Sequence, residues 1–358
     1  MGGKRHALGL MSGTSLDGID IASIETDGLA QIVAGPAQTF PYDDALRVRL
    51  RAVLGGVGAV AEVEAELTEA HAKAVLGFVR QHRLKDVHIV GFHGHTILHK
   101  PEEGRTWQIG DGAKLAAAIG FDVVCDFRSA DVAAGGEGAP FAPLYHAGLA
   151  AAAKLETPLA VLNLGGVANV TWLGGERILA FDTGPGNALL DDWALRHTGK
   201  PVDLGGVLAK AGQVDEDFVA RFLEHDFFAR LPPKSLDRNE FAHFEPGHLG
   251  PEDGAATLVA MTAESVARAV RHLPVAPKRW LVTGGGRHNP VLMRALHLAL
   301  ATPVEKVEAV GWDGDAMEAQ AFAYLAVRSL EGLPLSLPST TGVKEPLTGG
   351  RHHRAGRR

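Results

Sequence analysis

The chain has 358 residues, 46% of them hydrophobic and 22% charged, with a formal net charge of −7. That is ordinary globular composition, at a length that suggests two domains able to bury their cores without metal or disulfide staples. The negative balance argues against a nucleic-acid partner, and the single cysteine, Cys125, excludes an intrachain disulfide and fits a reducing compartment.

The first segment reads as strand, turn and strand. "ALGL" leads in, "SGTSLDG" turns, and "IDIASIET" alternates Ile19, Ile21 and Ile24 with small or polar residues. The short "ALGLM" after Lys4 and Arg5 is too brief for a signal-peptide core. A helix is expected from Asp43, then a longer one through "VAEVEAELTEAHAKAVLGFVRQHR", where apolar residues recur at three and four. "DVHIVGFHG" has strand length, "DGAKLAAAIG" is a helix opened by an aspartate and closed at Gly120, and "FDVVCDF" is a strand that buries Cys125.

The pattern then restarts. "PLAVLNLGGVANVTWLGG" is again strand, glycine turn and strand, with "RILAFD" as a third strand. "PGNALLDDWALRH" and "DGAATLVAMTAESVARAVRHL" read as helices. "RWLVTGGG" is a strand ending in glycines, followed by helices "PVLMRALHLAL" and "DAMEAQAFAYLAVRSLEG". Two hairpin-led halves, about 150 residues apart, predict an α/β fold of two similar domains whose mixed sheets are flanked by helices. The boundaries are expected at 1–135 and 136–334, with the segment from about 335 completing the first domain. No apolar run approaches the roughly 20 residues of a membrane span, so no membrane association and a cytoplasmic location are expected. The basic ending "RHHRAGRR" reads as a solvated, disordered tail.

Several motifs carry little. "GVGAVA" fits a dinucleotide fingerprint in letters but follows a helical stretch where the fingerprint needs a strand. "HGHTILH" would put His93 and His95 on one side of a strand, yet nothing supplies a second pair of zinc ligands. Asp315 and Glu318 have capping-box spacing at the start of the last helix.

Four glycine turns remain, "SGTSLDG", "NLGGVAN", "DTGPGN" and "TGGGRHN", each after an apolar strand-like run. Glycine lets backbone N–H groups approach a ligand, and successive N–H groups form anion-binding concavities. Asp17 and Asp20 would repel a bare phosphate but suit a Mg²⁺ held between carboxylate and phosphate through water, which suggests a nucleoside triphosphate. Asp182, after a buried strand and before a glycine turn, has the placement of a general base.

Together, "GLMSGTSLDGID", "HGHT", "DFRSADVAAGGEGAPFAPLYH", "NLGGVANVT", "FDTGPGNALLDDW", "TGGGRHNPVLM" and "DAMEAQAFAYLA" resemble the anhydro-N-acetylmuramic acid kinases, in order from about residue 8 to 343. The resemblance implies two ribonuclease H-like domains of the actin-type ATPase superfamily with ATP between them. It also implies a reaction in which water opens the anhydro bridge and O6 takes the γ-phosphoryl group, in peptidoglycan recycling. It makes Asp182 the base that activates water. Gly13, Thr14, Ser15, Leu16, Asp17, Gly18, Ile19 and Asp20 would bind the ATP phosphates, with Asp17 toward Mg²⁺ through water. Asn163, Gly165 and Gly166 would form a second phosphate hairpin, and Gly284, Gly285 and Gly286 would lie near the adenosine. Thr96, Arg128 and Glu318 fall on the side of the small amino-sugar substrate, and a homodimer is suggested. Two positions depart from the family pattern, which has glutamine where this chain has His95 and Glu137. His95 would be expected to bring pH dependence near its own pKa.

Overall fold

The computed structural model describes residues 3–13, 16–237 and 240–356 and divides into two compact units. The first comprises Met1–Leu155 and Ala316–Arg358, the second Glu156–Asp315. The helices Pro143–Ala152 and Met317–Leu330, which the sequence boundaries put in the second half, therefore lie in the first.

The first unit's sheet holds β1 (Arg5–Ser12), β2 (Gly18–Thr26), β3 (Ile32–Pro41), β4 (Ile89–Lys100), β5 (Arg105–Ile109) and β6 (Val123–Cys125). β1, β2 and β3 form an antiparallel meander. β4 runs parallel to β1, and β6 parallel to β4. β5 returns antiparallel along the far end of β4. In the second unit β7 (Leu159–Leu164), β8 (Val167–Gly174) and β9 (Arg177–Pro185) repeat the meander. β10 (Trp280–Thr283) and β11 (Val304–Lys306) then add in parallel on the other side of β7. The second unit orders its strands β9-β8-β7-β10-β11, and the first matches it with β3-β2-β1-β4-β6, β5 pairing with β4 off that path.

In the first unit alternation along β1 decides what covers the sheet. Leu8 and Leu10 enter a core shared with Leu67, Val75 and Phe78 of the helix Val60–Gln81. Gly9, one residue out of phase, meets the helix Met317–Leu330. A Cβ on Gly9 would lie 1.7 Å from the Ala319 carbonyl oxygen, and one on Gly91 of β4 would lie 2.1 Å from that of Phe322. The helix rests with its backbone almost on the strands, which its Ala319, Ala323 and Ala326 permit. Ala319 through Arg328 are buried throughout, so this helix is sequestered on all sides.

Capping follows the sequence where side chains are local. Asp43 caps the helix Asp44–Ala52 by accepting from Leu46 N–H. Asp111 caps Gly112–Ile119 by accepting from Lys114 N–H, and Gly120 closes it in the left-handed conformation. The expected capping box at Asp315 and Glu318 does not form. Ala316 is the N-cap of Met317–Leu330, with no side-chain cap bond, because the Asp315 carboxylate is taken by Arg287 at 2.9 Å. The basic ending also departs from expectation. β12 (Arg351–His353) pairs antiparallel with β6 and covers its edge. The Asp122 carboxylate holds it there, accepting from Ala355 N–H and meeting His352 Nε2, each at 2.9 Å.

Replacing Gly91 by alanine should destabilise the protein by about 1–3 kcal/mol or more, since neither partner at the close approach is a flexible side chain. A drop in the thermal midpoint checks this.

Candidate functional site

In the first unit, β1 ends at Ser12 and β2 begins at Gly18. Thr14 and Ser15 lie outside the described residues. Gly13 accepts from Leu16 N–H, and Leu16 takes a left-handed φ of 58°. The Leu16 and Ile19 side chains are core residues. Any contact they make with a ligand would come from backbone, and their role is to fix the turn from below. Asp17 is exposed, its Oδ1 accepting from Gly18 N–H, and its carbonyl accepts from Tyr42 N–H. Asp20 Oδ1 accepts from the Thr39 hydroxyl.

Beneath this hairpin the Tyr42 hydroxyl donates to Ser12 Oγ at 2.7 Å, and Ser12 lies 2.9 Å from His95 Nδ1. Burial raises the Tyr42 pKa, so the phenol keeps its proton and serves as donor. With Ser12 accepting that proton, its own hydroxyl is available to His95 Nδ1, which leaves the imidazole proton on Nε2. His95 is fully buried and burial lowers its pKa to about 4, so it stays neutral near pH 7. The expectation that His95 titrates near its ordinary pKa is overturned by desolvation.

His93 and Arg128 form a second neutral-acceptor pair. Burial, aided by the Arg128 charge, holds the His93 pKa well below its ordinary value. Its Nδ1 meets the Gly94 carbonyl at 2.9 Å, and its Nε2 accepts from Arg128 Nε at 3.1 Å. Arg128 also donates to the Gly138 carbonyl at 2.7 Å and lies over the rings of Phe141 and Phe322. Gly138 is held in turn by the buried Asp131, which accepts its N–H and the Thr341 hydroxyl. Glu137 N–H donates to the Thr341 carbonyl. Thr96 accepts from Gln108 Nε2 at 3.2 Å, and Glu318 is exposed in the first turn of its helix.

In the second unit one row crosses four strands. Thr283 of β10 is in register with Asn163 of β7, Asn163 with Asn169 of β8, and Asn169 with Asp182 of β9. Register partners on adjacent strands project to one face, with Cβ atoms about 4.5–5.5 Å apart. The sheet therefore carries a polar row, of which Asn163, Asp182 and Thr283 lie one or two residues before a glycine. Asn169 ends the motif "NLGGVAN", but only the register places it beside Asp182. Gly165 and Gly166 link β7 to β8, and their carbonyls accept from Asn187 N–H and Gly186 N–H. Gly284 has φ 79°, and a Cβ there would lie 2.3 Å from Asn163 Oδ1. A Cβ on Gly286 would lie 2.5 Å from Asn187 Oδ1, so Asn163, the 165–166 hairpin, Asn187 and the 284–286 turn form one packed cluster. Gly285 borders it, 3.7 Å from Asn187 by the same measure. Buried Arg287 braces the turn from behind, donating to the Gly284 carbonyl, Glu308 and Asp315.

Asp182 is 6% exposed. Its N–H donates to the Lys234 carbonyl at 3.0 Å and its Oδ2 accepts from Leu236 N–H at 2.8 Å. A buried carboxylate oxygen facing a backbone N–H is a charge-assisted contact that fixes the orientation of the group.

Each unit is a mixed sheet in which an antiparallel meander is extended by parallel strands beside its first strand. A family model described as anhydro-N-acetylmuramic acid kinase matches residues 5–354. A protein of that name from Paramagnetospirillum magneticum is 60% identical, with 97% of this chain and 99% of the relative covered. Another from Rhodospirillum rubrum is 54% identical over 98% of this chain and 94% of the relative. Among solved structures, a ROK family glucokinase from Streptomyces griseus aligns over 90% of this chain and 99% of that chain, at 14% identity and a TM-score of 0.41. The chain belongs to the anhydro-N-acetylmuramic acid kinase family and is an enzyme.

Two outcomes follow for stability. Gly284→Ala should cost about 1–2 kcal/mol from the left-handed backbone alone, with the contact at Asn163 adding to it, and chemical denaturation measures this. Burial lowers His71 and His95 to about 4 from an ordinary 6.5. Between those values the unfolded chain binds the extra protons, so stability rises with pH there and is lost as pH falls from 6.5 toward 4. Each group contributes roughly 3 kcal/mol across that window. The thermal midpoint should fall steeply below pH 6.5, and His71→Leu should flatten the fall.

Proposed function

We propose that this enzyme uses water to open the 1,6-anhydro bridge of anhydro-N-acetylmuramic acid and transfers the γ-phosphoryl group of ATP to O6. The products are N-acetylmuramic acid 6-phosphate and ADP, as peptidoglycan recycling requires. The observation that carries the reading is Asp182, a buried residue at the end of a polar row whose carboxylate accepts from Leu236 N–H and whose own N–H donates to the Lys234 carbonyl. In this reading Asp182 takes a proton from water as the water oxygen bonds to the anomeric carbon. The bond from that carbon to O6 breaks, and O6 bonds to the γ-phosphorus while the bond to the ADP oxygen breaks. An intramolecular ether has no hydroxyl proton to remove, so the base serves the water.

The hairpin Gly13–Asp20 and the hairpin at Asn163, Gly165 and Gly166 are assigned the phosphates, and Gly284–Gly286 the adenosine. Support comes from Gly18 and Gly284, where a Cβ would lie 2.4 Å from the Phe40 carbonyl oxygen and 2.7 Å from that of Leu164, so these points of the turns carry no side chain. Arg128, Thr96 and Glu318 are assigned to the sugar, with Arg128 suited to its lactyl carboxylate. Asp17 and Asp20 offer hard oxygen ligands. Among the described residues no three His, Cys, Asp or Glu side chains gather as a metal cage. That donor set fits Mg²⁺, which keeps most of its waters and takes further oxygens from phosphate. Bound there, Mg²⁺ would neutralise charge on the β- and γ-phosphates.

The test is ADP release from the purified chain with anhydro-N-acetylmuramic acid, N-acetylmuramic acid and glucose. Turnover is expected with the first alone, and equal turnover of the others overturns the substrate assignment. Asp182→Asn should lower kcat by about 10²–10⁴-fold while ATP still binds. In ¹⁸O-water the product should carry label at the anomeric carbon, and an unlabelled position, after correction for exchange, rules out hydrolytic opening.

A further inference from the structure

Lys234 is a lysine with only 6% of its surface exposed, and burying an ammonium is costly unless something compensates it. Its Nζ donates to the Phe227 carbonyl at 2.9 Å and sits 4.3 Å from the centroid of the Phe227 ring. It also lies 5.9 Å from the ring of Phe181, the residue preceding Asp182. The same residue's carbonyl accepts the Asp182 N–H, and two residues on, Leu236 N–H binds Asp182 Oδ2. The segment 234–236 therefore holds Asp182 at its main chain and at its carboxylate, and the lysine side chain ties that segment to Phe227.

We propose that Lys234 is a positioning residue for Asp182: its buried ammonium anchors the strap that orients the carboxylate and adds positive charge to its surroundings. The proposal rests on the reading of Asp182 as the base. The charges felt by Lys234 are Arg271 and Arg230, which oppose its protonation, and Asp182, which favours it. His272 lies in the same neighbourhood, where Lys234 disfavours its charging. Burial, the larger cause, and the two arginines lower the Lys234 pKa to about 8. The cation is thus present below pH 8 and lost above it, and activity that depends on it should fall on the alkaline side.

Three measurements test this on the full chain. The wild-type pH profile of kcat should fall between about pH 7.5 and 9, where a group near pKa 8 loses its proton. Lys234→Met should lower kcat by at least about 10-fold at pH 7.5, with KM for sugar and for ATP within about 3-fold of wild type, because transition-state stabilisation and not binding is lost. Lys234→Arg, whose charge does not titrate in this range, should restore most of the activity and move the alkaline fall up by at least about one pH unit. A merely structural lysine would lower the melting temperature of Lys234→Met and leave the pH profile unmoved.

A flat wild-type profile to pH 9 overturns the proposal, as does an alkaline fall that Lys234→Arg leaves in place. If neither variant folds, the wild-type profile decides. The two readings separate cleanly. Near-normal turnover by Asp182→Asn removes the base itself, whereas an inactive Asp182→Asn beside an unaffected Lys234→Met removes only the role of the lysine.

Discussion

In the second unit everything depends on how closely backbone approaches backbone at the carboxyl ends of β7 and β10. Gly284 leaves the strand with φ 79°, and Asn163 Oδ1 occupies the space its Cβ would need. Gly186 is closer still, since a Cβ there would lie 2.1 Å from the Gly165 carbonyl oxygen. No side chain can be inserted at these points, so the turns present peptide groups instead. That is the arrangement an anionic ligand needs, because peptide N–H groups carry partial positive charge without a long, mobile side chain. The Arg287 bonds to Gly284, Glu308 and Asp315 make the turn rigid from behind.

The first unit solves a different problem, how to support a polar hairpin on a dry base. It does so with uncharged Tyr, Ser and His side chains and one arginine in fixed donor and acceptor roles. Tyr42 gives to Ser12, Ser12 meets His95, and His93 takes from Arg128. Each imidazole is buried deeply enough to stay uncharged, so none leaves an uncompensated charge in the core. The consequence is sensitivity to acid, since histidines that are neutral when folded acquire protons more readily once exposed.

Much of this was legible in the chain itself. The two glycine hairpins announce the repeated units, and Asp43, Asp111 and Gly120 mark helix ends through bonds within four residues. What escaped is non-local. β3 carries glycine and two prolines in "IVAGPAQTFP", and β12 lies in a basic tail that looks disordered until β6 and Asp122 are there to receive it. The Asp315–Glu318 capping box has correct spacing, but a distant arginine competes for the aspartate and wins. His95 looks like a pH sensor by residue type and ceases to be one by burial.

Asp182 shows why its own neighbourhood in sequence was insufficient. The base proposed here is useful only if its carboxylate is ionised and aimed, and neither property follows from the strand that carries it. The aim comes from Leu236, more than fifty residues later. The charge beside it comes from Lys234, in a loop that follows the 3₁₀ turn Asp226–Ala229. Backbone N–H groups orient a carboxylate without changing net charge, while a buried ammonium changes the electrostatic potential without needing direct contact. Combining the two in one short strap lets one segment set both the aim of the carboxylate and the charge in its surroundings.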